Sequence, residues 1–86
     1  MKIRMEFVKR EIAGETFLVP IGEAARVYSG LIALNEVAAF IWEQLPQAET
    51  EEAIVDAILE EYEVSREKAC ADVKEFLDQL EKMKIL

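Results

Sequence analysis

Hydrophobic and polar positions change their period once along the chain. Phe7-Val8-Lys9-Arg10-Glu11-Ile12 has the composition of a half-buried strand, and Ala13-Gly14-Glu15 reads as a turn. Thr16-Phe17-Leu18-Val19 then returns until Pro20 interrupts the ladder, which predicts a hairpin. A looser connection holding Gly22, Ser29 and Gly30 leads into the apolar run Leu31-Ile32-Ala33-Leu34, a predicted third strand. From Asn35 onward the spacing is helical. Asn35 is a helix cap with Glu36 in the first turn, where the helix dipole favours an anion. This helix runs to about Leu45, and Pro46 stops it. Val37, Ala38, Phe40, Ile41, Trp42 and Leu45 cover more than one stripe of it, which makes it the central helix. Thr50 caps a second helix, in which Ala53, Ile54, Ala57, Ile58 and Tyr62 recur at three and four. Ser65 caps a third, with a stripe of Ala69, Val73, Phe76, Leu77, Leu80 and Met83 and with Cys70 at its edge.

Three antiparallel strands followed by three helices, the last two separated only by Glu63-Val64-Ser65, predict an α+β domain of winged-helix type. At 86 residues, 52% hydrophobic and 33% charged, the chain is expected to be one domain spanning 1–86 with little interior for a deep catalytic cavity.

The helix-turn-helix geometry raises nucleic-acid binding, and the charge argues against it. The formal net charge is −8 and is uneven. Residues 1–34 carry five basic and four acidic side chains, whereas Glu43 to Glu63 carries eight acidic ones and none basic. The remainder from Val64 balances five of each. The outward face of the third helix offers Arg66, Lys68 and Lys74 together with Glu67, Asp72, Glu75 and Asp78. Phosphate binding depends on Lys and Arg displacing counterions, so a block of carboxylates beside that helix opposes it. No nucleic-acid partner is expected, and a DNA-binding winged-helix regulator is the alternative. The acidic helix itself is either a solvated face or a docking surface for a basic partner.

Most catalytic chemistry is missing its residues. There is no histidine and one cysteine, which removes Ser-His-Asp and Cys-His pairs and the usual zinc sites. Gln47-Ala48-Glu49-Thr50-Glu51-Glu52 lacks the alternating oxygen ligands and turn glycine of a calcium loop, so no metal site is expected. Glu63-Val64-Ser65-Arg66 is not the Asp-Ser-Leu of an acyl carrier, which leaves Ser65 as a cap. Cys70 between Ala69 and Ala71 is expected at the core edge, while Phe40 and Trp42 are expected as core anchors. No apolar run approaches the ~20 residues that span a bilayer, and the charged opening Met-Lys-Ile-Arg is unlike a signal peptide. A cytoplasmic protein without a cofactor or membrane partner is expected.

Peptide recognition remains. A small sheet leaves strand edges that can accept a guest strand, and Leu31-Ile32-Ala33-Leu34 is apolar on both faces. Either ordinary core burial or a guest supplies its second cover. The other class still open is an interaction subunit docking to an enzyme through its acidic helix.

Phe17-Leu18-Val19-Pro20-Ile21-Gly22 and Gly30-Leu31-Ile32-Ala33-Leu34-Asn35-Glu36-Val37-Ala38-Ala39-Phe40-Ile41-Trp42-Glu43-Gln44-Leu45 resemble the PqqD-like family. The downstream Thr50-Glu51-Glu52-Ala53-Ile54-Val55, Glu61-Tyr62-Glu63-Val64-Ser65 and Val73-Lys74-Glu75-Phe76-Leu77 segments extend the resemblance over nearly the whole chain. The chain departs from the family pattern at Leu45-Pro46-Gln47-Ala48, where an Asp-Gly step often follows the first helix. That departure leaves open whether the pathway is quinone synthesis or another modified peptide. The resemblance implies a RiPP recognition element, a non-catalytic domain that binds the leader segment of a ribosomally made precursor peptide. It also implies delivery of that peptide to a modifying enzyme, often a radical SAM protein. The leader is then expected as an added strand along Gly30, Leu31, Ile32, Ala33 and Leu34, in a groove closed by the third helix. Lys68, Asp72, Glu75, Phe76 and Gln79 are the helix residues expected near it. The exposed strand edge makes a monomer or a weak, strand-exchanged homodimer the expected state.

Overall fold

The alternation in the first third of the chain closes into a hairpin in a computed structural model that describes residues 1–86. Strands β1 (Phe7–Ile12) and β2 (Glu15–Pro20) pair antiparallel from Phe7↔Pro20 to Ile12↔Glu15. Glu15, expected in the turn, is the first residue of β2, so the loop is only Ala13 and Gly14. Both have positive φ, 53° and 82°, the combination that matches a two-residue loop to the twist of the strands. Gly14 adopts it freely, whereas the Cβ of Ala13 opposes it. Pro20 ends the ladder, where a missing N–H costs least.

The connection after β2 is not wholly irregular. Residues Ala24–Val27 form a one-turn helix, α1, with Ala24 buried beneath it. Its four residues are too few for an apolar period to show, and it has no side-chain cap. Tyr28 follows and packs its ring against Phe7 at 5.6 Å. Strand β3 is Ile32–Leu34 and pairs with β2 from Thr16↔Leu34 to Leu18↔Ile32. The sheet order is β1-β2-β3, so β3 lies at an edge. Leu31, expected in the strand, lies outside it.

Helices α2 (Glu36–Gln44), α3 (Glu51–Glu61) and α4 (Arg66–Lys82) follow. Each begins at the predicted cap. Asn35 Oδ1 accepts from the Ala38 N–H at 2.8 Å, Thr50 Oγ1 from Ala53 at 3.1 Å and Ser65 Oγ from Lys68 at 3.1 Å. These bonds satisfy amides that the first helical turn leaves without partners. Helix α2 is central, packed against β3, α3 and α4. Leu18 of the sheet meets Ile41, Leu45, Ile54, Ile58 and Leu80 in a core withdrawn from water. The Arg4 N–H donates to the Ile85 carbonyl at 2.7 Å, holding the first residues against the last.

Two side chains depart from their expected places. Cys70 is exposed, because the buried stripe of α4 passes through Ala69 and Val73 and turns the next position outward. Trp42 is buried, but Phe40 is only half-buried and meets Tyr62 edge-on at 5.5 Å.

The turn and the cap give opposite tests of stability. Ala13→Asn keeps a side chain that tolerates positive φ and should raise the unfolding free energy by about 1 kcal/mol. Asn35→Ala removes the α2 cap and should lower it by about 1 kcal/mol. Urea unfolding should show the midpoints moving in opposite directions with an unchanged slope.

Candidate functional site

Both β1 and β3 are edge strands with outer backbone groups unused, and β3 is the one of the two packed against α2. In an antiparallel ladder alternate residues turn their N–H and C=O toward the partner strand. Leu31 makes no backbone hydrogen bond and the Asn35 N–H donates none, so the ladder bonds to β2 fall at Ile32 and Leu34. Ala33 and, before it, Leu31 therefore turn their backbone groups away from the sheet. Ser29 and Gly30 also make no backbone hydrogen bonds, which extends the unpaired rim. The Leu31 side chain is 51% exposed beside it.

A groove of about 140 Å³ runs beside this edge. One wall is Ala33 and Leu34 of β3, continued by the cap residue Asn35. Val37, Ala38 and Ile41 of α2 form the floor. Helix α4 supplies the far wall through Asp72, Glu75, Phe76 and Gln79, which fall on one face at spacings of three and four. An engineered apolar cavity of about 150 Å³ admits a benzene ring, so this groove has room for about one aromatic or branched aliphatic side chain. No buried side-chain polar atom in the protein lacks a partner.

Of the ten residues expected at the site, Ala33, Leu34, Asp72, Glu75, Phe76 and Gln79 come together around this groove. Gly30, Leu31 and Ile32 do not line it, and the first two precede the strand. Lys68 stands outside, its Nζ 2.7 Å from Asp72 Oδ1 one turn along α4. Val37, Ala38 and Ile41 also line the groove and stand outside the ten expected residues. Their signal was present in the second apolar stripe of α2, which is wider than one core contact needs.

A second depression, of about 490 Å³, lies on the other flank of α2. Glu36, Ala39, Phe40 and Glu43 face it from α2, with Lys9 and the hairpin turn opposite and Tyr62 at its end. Lys9 Nζ meets Glu43 Oε1 at 2.5 Å, tying β1 to α2. The Tyr62 phenol is held above its ordinary value, first by desolvation and then by the charge of the Glu36 carboxylate, with Glu61 adding to it. Nowhere do three or more Cys, Asp or Glu side chains gather as a metal site, and no helix is long and apolar enough to cross a membrane. The first groove can take up an extended chain by main-chain pairing and hold one of its side chains.

The chain is similar to known proteins. Residues 15–86 match the family model of coenzyme PQQ synthesis protein D (PqqD). A solved structure described as "TbiB1 in Complex with the TbiA(beta) Leader Peptide" is 31% identical to the chain, with a TM-score of 0.72. The match covers 100% of this chain and 94% of that one. No curated protein matches the chain.

The Tyr62 environment is testable by titration. In a Tyr28→Phe protein, which leaves one phenol, ultraviolet absorbance should place Tyr62 above 10.0, and Glu36→Gln should bring it back toward that value. The raised value favours the neutral phenol in the folded state. Its contribution to stability is therefore complete below the unfolded-state value of 10.0 and lost as the pH rises through the folded one. Tyr62→Phe should flatten that loss in urea unfolding.

Proposed function

The chain belongs to the PqqD family, and from that premise we propose that it is a peptide-binding adaptor for the leader segment of a ribosomally made precursor peptide. The observation that carries this reading is the unpaired outer edge of β3 running beside a groove with an apolar floor. A guest strand laid along Gly30 to Leu34 pairs its main chain with the groups turned outward at Leu31 and Ala33. Its inward side chain enters the groove between α2 and Phe76. TbiB1, the similar solved protein, is in complex with a leader peptide, which supports the choice of guest. The adaptor is non-catalytic: main-chain pairing needs no nucleophile, and none of the groove residues forms a proton-transfer pair. It acts in the cytoplasm as one recognition unit over residues 1–86 and presents the bound peptide to a modifying enzyme, a radical SAM protein being the expected class.

The regulator reading fares worse on electrostatics. Helix α3 carries Glu51, Glu52, Asp56, Glu60 and Glu61 beside α4, and Arg66 at the start of α4 is already paired to Asp56 at 2.7 Å. Duplex binding would have to overcome that field before counterion release could favour it.

Ala33→Pro tests the strand addition directly. Proline is tolerated on an edge strand when its missing N–H faces outward, so the fold should persist. Calorimetry with the leader of the precursor encoded beside the gene should show binding weakened about three- to tenfold, the net value of one hydrogen bond. Ala33→Ser, which keeps the N–H, should bind as wild type does. A folded Ala33→Pro protein with undiminished affinity would remove β3 as the pairing edge.

A further inference from the structure

The groove is apolar below and acidic at its rim. Phe76 is buried in its wall, while Asp72 and Glu75 stand above it on α4. These two carboxylates are in different situations. Asp72 is neutralised by Lys68 at 2.7 Å, but Glu75 has no ion pair and no hydrogen bond. Glu75 also borders, with Lys74, Asp78 and Lys82, a shallow depression on the outer side of the helix, and it is paired with neither lysine. No cation lines the groove itself.

We propose that Glu75 selects the guest: the bound peptide carries a lysine or arginine one or two positions from the apolar side chain that fills the groove. This rests on the reading of the groove as a leader site. The spacing follows from the geometry, because Glu75 and Phe76 are adjacent in α4 and a strand advances about 3.3 Å per residue. A side chain resting on Phe76 therefore places its neighbours along the strand within reach of the Glu75 carboxylate. Charge complementarity fixes the sign. A basic guest gains an ion pair at the border of an apolar surface, where screening by water is reduced, and an acidic guest meets Glu75 and a chain of net charge −8. Lys68 sets the strength of the preference, since it leaves one rim carboxylate rather than two unpaired.

Selection from a random peptide library tests this whatever the natural precursor is. Displayed peptides of about ten residues, enough for a strand and its flanks, are selected on the full chain and aligned on their apolar anchor. Wild type should enrich lysine and arginine one or two positions from that anchor. Glu75→Lys should enrich aspartate and glutamate there instead, and Lys68→Gln should sharpen the basic preference. A synthetic enriched peptide should bind Glu75→Gln about fivefold more weakly, the scale of a partly exposed ion pair. Its variant with glutamine for the basic residue should not distinguish the two proteins. Apolar enrichment with no basic preference, or a basic preference that persists in Glu75→Lys, overturns the role of Glu75 and leaves the leader site standing. Enriched peptides whose amide NMR shifts avoid Ala33 and Phe76 overturn the leader site, and this proposal with it.

Discussion

The direct passage from β3 into α2 is the constraint on which the rest of the structure depends. Leu34 is the last residue of the strand and is buried, Asn35 is the cap, and Glu36 is the first residue of the helix. With no linker, the helix axis is set by the strand and by the Asn35 to Ala38 bond. The chain that would otherwise have continued the sheet leaves it at this point. The β3 edge stays open, and α2 is delivered beside it as the floor of the groove. Helix α4, packed against both α2 and α3, then closes the far side.

Packing carries most of this architecture, and the ion pairs add little to it. The three salt bridges join partly or largely exposed side chains, where screening by water leaves little net stabilisation. Leu18, Ile41, Leu45, Ile54 and Leu80 are instead removed from water, and each such side chain contributes about 1.5–3 kcal/mol relative to leaving it exposed. The charges matter for what approaches the surface. An acidic α3 repels polyanions over a distance of about one Debye length, whereas α4 holds nearly balanced charges beside the groove. A protein with this distribution meets a peptide without the penalty that a phosphate backbone would incur.

The groove shows why one part of a site is readable before the structure and another is not. Asp72, Glu75, Phe76 and Gln79 follow from helical spacing alone, since one periodic stripe implies its neighbours. The α2 residues Val37, Ala38 and Ile41 looked like ordinary core, because sequence cannot tell a stripe covered by the protein from one left for a guest. Ile32 shows a different gap between sequence and register. Its place in an apolar run says nothing about which side its backbone groups face, and the register with β2 turns them inward while Ala33 faces out.

What the amino-acid sequence determined by itself was local. The hairpin with its glycine turn, the caps at Asn35, Thr50 and Ser65, the helical stripes and the missing catalytic groups all depend on residues within a few positions of one another. Resemblance carried the family, which short-range chemistry does not encode. The tertiary structure decided the rest: the end of β3 at Leu34, the one-turn helix at Ala24–Val27, the exposure of Cys70 and the convergence of α2, α4 and β3 on a single groove. These depend on register and on packing that brings residues about 40 positions apart in the chain, such as Ala33 and Phe76, to one groove. No pattern within a few residues specifies such a pair, because only the packing of whole elements brings it together.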